Sequence, residues 1–321
     1  MNKKERIAAA IAGERPDRLP YAFWGPGLTE PESAEIHAGL ALDFQKEWDG
    51  DLLVTVNGTA YSSEDYIAPG FTKVGGVAYV TDPEDWARLS GSSVNGGALA
   101  REQEALKLIL GGKEDGAPVL FRVMSPLATV FRLGFHVRED IRRGAGAMVK
   151  EALRTVTETS CALVQRVIEL GADGIFFEAP YADYEIVDEN FYREYGAPYD
   201  LAVLSASSGW CNVLRAGETN CMFPLLRKYP AQIFSWDASQ SLPELAEARA
   251  LTGKCVMAGV SRRSLEFGQR NAVERDIWRA VKETGGRGLI LSAGASIQPR
   301  EGMSAFFRRA AQEIGEKMNI R

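Results

Sequence analysis

Eight short apolar segments, each followed by a stretch of helical character, recur along this 321-residue chain and restrict the folds open to it. They are Tyr21-Ala-Phe-Trp24, Asp51-Leu-Leu-Val-Thr-Val56, Pro118-Val-Leu-Phe-Arg-Val-Met124, Asp173-Gly-Ile-Phe-Phe-Glu178, Cys211-Asn-Val-Leu-Arg-Ala-Gly-Glu218, Ala231-Gln-Ile-Phe-Ser-Trp-Asp237, Lys254-Cys-Val-Met-Ala258 and Gly288-Leu-Ile-Leu-Ser292. Runs this short, rich in β-branched and aromatic residues and bounded by Gly, Pro, Asn or Asp, read as buried strands. Helical spacing fills the intervals, over residues 32–48, 99–110, 142–170, 188–205, 223–228, 242–251 and 270–284, with 305–318 closing the chain. Strands that alternate with helices must run parallel through crossovers, and eight such units at this length predict one closed (β/α)8 TIM barrel spanning residues 1–321. A doubly wound sheet would carry a glycine-rich phosphate turn after an early strand, and neither Gly-x-Gly-x-x-Gly nor a P-loop occurs. A helical segment at residues 3–12 precedes the first strand. Two short runs flanking Gly75-Gly76 predict a small hairpin insertion near residues 70–80. Ser125-Pro126 ends the third strand, and the stretch after it reads as irregular.

Composition removes whole classes of function. A net charge of -6 gives no attraction to polyanions, so nucleic acid is excluded as a partner. No apolar run reaches the roughly 18 residues of a membrane span, and Met1-Asn-Lys-Lys-Glu-Arg does not resemble a signal peptide, so we expect a cytoplasmic protein without membrane partners. Four cysteines, Cys161, Cys211, Cys221 and Cys255, are too sparse for a disulfide scaffold and form no Cys-x-x-Cys pair. The two histidines, His37 in a helical stretch and His136 in a loop, read as surface residues.

In such a barrel the active site lies at the carboxyl ends of the strands. The residues placed there are Trp24, Asn57, Tyr61, Asp65, Met124, Glu178, Arg215, Glu218, Asn220, Trp236, Asp237, Ser261, Arg262 and Ser292. Glu178, Glu218 and Asp237 supply candidate general acids or bases whose pKa values mutual repulsion or burial would raise. Arg215 would grip a substrate carboxylate in a bidentate fork, or else neutralise Glu178 or Glu218 in a buried network. Trp24 and Trp236 would offer flat faces to a planar substrate, or pack at the rim. Cys221 is the one thiol placed near the pocket, with no base close in sequence to activate it.

Thr284-Gly-Gly-Arg-Gly-Leu-Ile-Leu-Ser-Ala-Gly-Ala-Ser-Ile-Gln-Pro299 resembles the closing strand of the uroporphyrinogen decarboxylase superfamily. The likeness extends through Phe44-Gln-Lys-Glu-Trp-Asp49, Tyr61-Ser-Ser-Glu-Asp-Tyr66, Thr81-Asp-Pro-Glu-Asp-Trp86, Glu169-Leu-Gly-Ala-Asp-Gly-Ile175 and the run from Tyr192 to Tyr199. The superfamily includes the decarboxylase and the cobalamin- and coenzyme-M-linked methyltransferases, and it implies the same barrel. Its zinc-dependent methyltransferases carry His-x-Cys-Gly after the fifth strand and a Cys after the eighth. Aligned on Gly217, this chain has Leu214, Ala216 and Ala295 there, so the resemblance implies no bound metal. Its true decarboxylases grip their substrate with an N-terminal Arg-Gln-Ala-Gly-Arg, where this chain has Phe23-Trp-Gly-Pro-Gly27; Asn57-Gly58, Phe131-Arg132 and Ala295 stand where the family's Asp, Tyr and His are expected.

What the resemblance leaves is metal-free methyl transfer, or demethylation of a small methylated substrate, with a corrinoid or tetrahydrofolate as carrier and a corrinoid protein as partner. Glu218 or Glu178 would manage the proton and Arg215 the substrate anion. The alternatives are a decarboxylase of a tetrapyrrole or another carboxylic acid, and a barrel that binds without catalysis. The resemblance is compatible with a monomer or a homodimer.

Overall fold

A computed structural model describes residues 1–27, 33–56, 66, 71–74, 77–91 and 93–318. Nine strands are described: β1 (Leu53–Val54), β2 (Thr72–Val74), β3 (Val77–Tyr79), β4 (Val119–Met124), β5 (Gly174–Glu178), β6 (Val213–Arg215), β7 (Ile233–Ser235), β8 (Cys255–Gly259) and β9 (Leu289–Ser292). Seven of them form one curled parallel sheet in the order β1-β4-β5-β6-β7-β8-β9. β2 and β3 pair antiparallel as the expected hairpin, with Thr72 opposite Tyr79. The Gly75-Gly76 turn and the predicted site residues Asn57, Tyr61 and Asp65 lie outside the described residues.

The segment Pro20–Ala22 takes the eighth place between the two edges of the sheet. On one side the Leu291 amide donates to Pro20 O at 2.8 Å and the Ala22 amide to Leu291 O at 3.0 Å; on the other the Asp51 amide donates to Tyr21 O at 2.8 Å. Where the sequence predicts a strand over residues 21–24, the structure keeps a single bridge, Tyr21 to Leu291. Pro20 has no amide proton to give, and the Tyr21 amide is diverted to Asp51 Oδ2 at 3.0 Å, so a regular ladder with β1 cannot form. Asp51, fully buried, is neutralised by Arg6 Nη1 at 2.7 Å and by Arg18 Nη1 and Nη2 at 2.8 and 2.9 Å. Paired on both sides, this carboxylate staples the barrel closure.

Period-two alternation divides the strands into two apolar layers. Inward positions, among them Ala22, Leu52, Val54, Leu120, Phe176, Val213, Ile233, Met257 and Ile290, form one cluster on the barrel axis, plugged at the amino end by Ile7 and Ala10 of the helix Lys3–Ile11. Outward positions such as Val123, Phe177, Leu214, Phe234, Val256 and Leu291 join the helices in a second cluster. Each large side chain buried in these layers contributes roughly 1.5–3 kcal/mol.

The helix forecast for residues 142–170 begins at Gly146, because Ile141–Ala145 forms a π-turn in which Gly144 holds φ at 99°. The stretch after Ser125 is helical over Pro126–Leu133, not irregular: Ser125 Oγ accepts the Ala128 amide at 3.2 Å and Pro126 presets the first turn. Among the described residues no helix is long and apolar enough to cross a membrane.

Candidate active site

The carboxyl-end layer of the barrel interior is charged, and its charges alternate in sign from strand to strand. Arg122 of β4, Glu178 of β5 and Arg215 of β6 share the inward face, with Glu178 and Arg215 direct partners in the parallel register. Arg122 clasps the Glu178 carboxylate with Nε at 2.6 Å and Nη2 at 3.1 Å. Arg215 Nη1 reaches the same carboxylate at 3.9 Å, while its Nη2 binds Glu218 Oε1 at 2.5 Å. Arg262 Nη1 lies 3.8 Å from Glu218 Oε2. Burial pushes the Glu178 carboxyl up, but Arg122 and Arg215 outweigh it and hold the group below the usual glutamate range. Glu178 is therefore a fixed anion, and its shift runs opposite to the rise expected from the sequence.

Two backbone devices fix this frame. Arg215 Nε donates to Gly294 O at 3.1 Å. Gly294 holds φ at +66°, and a Cβ there would stand 1.7 Å from Trp236 O, so only glycine can bring this carbonyl beneath the guanidinium. On the other side, buried Asp183 accepts the Thr219 amide at 2.8 Å and the Asn220 amide at 3.1 Å through Oδ2, pinning the loop that carries Glu218. A Cβ on Gly217 would meet the Asp183 Cβ at 2.6 Å, so this close approach also requires glycine.

Asp237 continues the inward alternation of β7. Its Oδ1 accepts both the amide of Ser239, at 3.0 Å, and its hydroxyl, at 2.5 Å. Burial pushes its carboxyl above the ordinary aspartate range; the Ser239 bonds and Arg262 oppose this and Glu218 adds to it. Asp237 is thus shifted toward its protonated form, the opposite direction from Glu178.

The remaining predicted residues divide. Met124, half-buried, is the register partner of Glu178. Arg262 is partly exposed at the mouth. Ser292 is buried, with Oγ 3.4 Å from the Gly294 amide it accepts. Ser261 caps the helix Arg262–Glu266, its Oγ accepting the Ser264 amide at 3.4 Å. Asn220 is exposed and donates to Glu185 Oε1 at 3.2 Å. Trp236 is fully buried in the outer layer against Phe234, its Nε1 donating to Ser241 O at 3.1 Å, so it offers no face to a substrate. Period two explains this: Ser235 and Asp237 point inward and the residue between them points out. Trp24 does lie inside the barrel, packed on Phe176 at 4.6 Å between ring centroids, with a buried Nε1 that has no hydrogen-bond partner.

Cys221 is buried and donates to Leu242 O at 3.2 Å, and burial pushes its thiol up, away from the nucleophilic thiolate. His136 is exposed as expected, but His37 is not: it is buried against the helix Gly97–Gly112, with Nδ1 3.0 Å from Glu102 Oε2. The helix Ala34–Trp48 presents His37 on the same face as Ala38 and Ala41, and that face packs inward.

Among the described residues no three His, Cys, Asp or Glu side chains are grouped to hold a metal ion. Leu214 and Ala216, the positions aligned with zinc ligands, point into the outer apolar layer, and the inward positions of β6 are Val213 and Arg215. Neither set fits a thiolate-rich zinc centre. The site residue passed over in the sequence is Arg122. Counting back by two from Met124 puts it on the inward face, and a lone charge within an apolar strand is the signal that marks it. Asp183 and Gly294 carry no such signal, because their roles depend on backbone atoms distant in sequence.

The profile of the uroporphyrinogen decarboxylase (URO-D) family matches residues 75–308, well over half of the chain. A methylcobamide:CoM methyltransferase, MtbA of Methanosarcina acetivorans, is 28% identical over 131 residues; the match spans 40% of this chain and only 38% of that protein. A methyltransferase from Methanosarcina mazei superposes with a TM-score of 0.79 at 16% identity, over 98% of this chain and 99% of the other. A B12-independent methionine synthase from a Shewanella species superposes with a TM-score of 0.61 at 15% identity, over 94% and 98%. At such identities the superpositions speak for the barrel fold, and the profile match for the lineage: this chain belongs to the uroporphyrinogen decarboxylase family.

Proposed function

We propose that this barrel transfers a methyl group from a small anionic methylated substrate to a corrinoid or folate carrier. The observation that carries the reading is the pairing, at one mouth, of an immobilised guanidinium, Arg215, with a carboxyl biased toward its acid form, Asp237. Arg215 and Arg262 orient the substrate anion. Asp237 donates its proton to the heteroatom as the bond from that atom to the methyl carbon breaks, so the leaving group departs neutral. A corrinoid or folate, when bound, would supply the nucleophilic electron pair for the new bond to carbon; the proton transfer leaves Asp237 as the carboxylate. Glu178 remains ionised and holds Arg122 and Arg215 in place. A methylcobamide in the name of the curated relative supports a corrinoid as the carrier; a corrinoid protein would be the partner that brings it.

The rival reading, decarboxylation, would use the same arginines for the acid and Asp237 to protonate the carbanion. A tetrapyrrole bearing many carboxylates fits poorly, because Glu178 and Glu218 already neutralise much of the positive charge of Arg122, Arg215 and Arg262. The test is to incubate the protein with methoxylated and N-methylated carboxylates and a reduced corrinoid, following the methyl-corrinoid spectrum and the demethylated product. Methyl movement in the wild type and its loss in Arg215→Met support the reading; no movement with any donor or carrier sinks it.

A further inference from the structure

The carboxylate of Glu218 lies where an arriving anion would bind. It is held by Arg215 Nη2 at 2.5 Å and faces Arg262 Nη1 at 3.8 Å, yet its side chain is 50% exposed, while that of Arg215 is 7% exposed. The receptor is buried and the occupant reaches solvent. Arg215 is tied to Gly294 O and to Glu178, and Glu178 to the Arg122 fork. The backbone on either side of Glu218 is also fixed, since Asp183 pins the Thr219 and Asn220 amides across Gly217. Only rotation of the Glu218 side chain is needed to open the subsite.

We propose that Glu218 is an internal stand-in for the substrate: its carboxylate fills the subsite between Arg215 and Arg262, and a small monocarboxylate displaces it on binding. This rests on the reading of the mouth as an anion-binding site and extends it by naming the group that is recognised. Charge is conserved in the exchange: when Glu218 swings into solvent, an incoming carboxylate takes its place against Arg215 and Arg262. Arg262 Nε adds a second indication: it is shielded from solvent without a hydrogen-bond acceptor, its nearest carboxylate oxygen being Glu266 Oε2 at 4.0 Å. A substrate oxygen that bridges the two arginines would give that donor a partner. The Arg215–Glu218 pair, open to water on one side, is weak enough to be broken by a ligand.

The test is isothermal titration calorimetry with benzoate and with uncharged benzamide, in the absence of any methyl donor or carrier, on the wild type, Glu218→Gln and Arg262→Met. Both substitutions are at partly exposed side chains, and circular dichroism melts check that each variant is folded. Glu218→Gln is expected to tighten benzoate binding by roughly 1.5- to 5-fold, the range set by releasing a partly exposed ion pair, and to leave benzamide unchanged. Arg262→Met is expected to weaken benzoate. Equal or weaker benzoate binding in Glu218→Gln, or no benzoate binding by either protein, overturns the proposal. Tightened benzoate binding stands even if methyl transfer fails, whereas methyl transfer without the tightening sinks the displacement alone.

Discussion

Glu178 and Arg215 are direct partners across the parallel β5–β6 pair, yet they approach no closer than 3.9 Å, and the fork that holds the Glu178 carboxylate comes instead from Arg122 on β4. Arg215 is thereby left with one nitrogen directed at Glu218. The site is a chain of charges in which each member fixes the next, so its members should fail together when perturbed.

Removing Arg122 takes away both short hydrogen bonds of the buried Glu178 carboxylate and leaves it the Arg215 contact at 3.9 Å. Arg122→Met is expected to cost about 3–5 kcal/mol of stability in urea denaturation, and the double variant with Glu178→Gln to recover a large part of it, because that buried charge is then gone. Additive losses would show that the two residues act independently.

Gly294 tests whether backbone geometry positions Arg215. Gly294→Ala combines positive φ with a Cβ 1.7 Å from Trp236 O, and should cost about 3 kcal/mol or more, or prevent folding. Gly302 has φ +77° with nothing within 4 Å of its added Cβ, so Gly302→Ala should cost only about 1 kcal/mol. Thermal melts of the two variants give the comparison.

Asp237 should impose the alkaline limb of the pH profile. Its raised pKa keeps the carboxyl protonated beyond the ordinary aspartate range, so turnover at saturating substrate should fall as pH rises through that value. Asp237→Asn should be slower by about 10²–10⁴ and flat over this limb. An unchanged limb in the variant would remove Asp237 from the proton transfer.

Far from the site, Asp200 is fully buried, accepting hydrogen bonds from Tyr192 and, at 3.5 Å, from Tyr229, and burial pushes its carboxyl up to about 7. Below the ordinary aspartate range both folded and unfolded chains hold this proton. Between that range and about pH 7 only the folded chain keeps it, so stability falls as pH rises through the window, by on the order of a few kcal/mol. Melting temperature should decline across it, and less steeply in Asp200→Asn.

Seven of the eight barrel strands, the hairpin and most helices were legible because period and punctuation are local properties. Arg122 was equally legible, since two steps from Met124 give its face; Trp236 was misplaced for want of the same count. His37 could be placed only by knowing which helix packs on which, because its neighbour Glu102 is 65 residues away. Gly294 and Asp183 act through backbone atoms that tertiary closure alone brings near. The sign of the Glu178 shift likewise depended on Arg122 arriving from another strand.

The most direct measurement follows two labels in one substrate. A methoxybenzoate carrying ¹³C in both the methyl and the carboxyl carbon, incubated with the protein and a reduced corrinoid, can be read by ¹³C NMR. Loss of the methyl label from the substrate with the carboxyl label retained, abolished in Arg215→Met, is the predicted result. Release of labelled carbon dioxide with the methyl group left in place would contradict it.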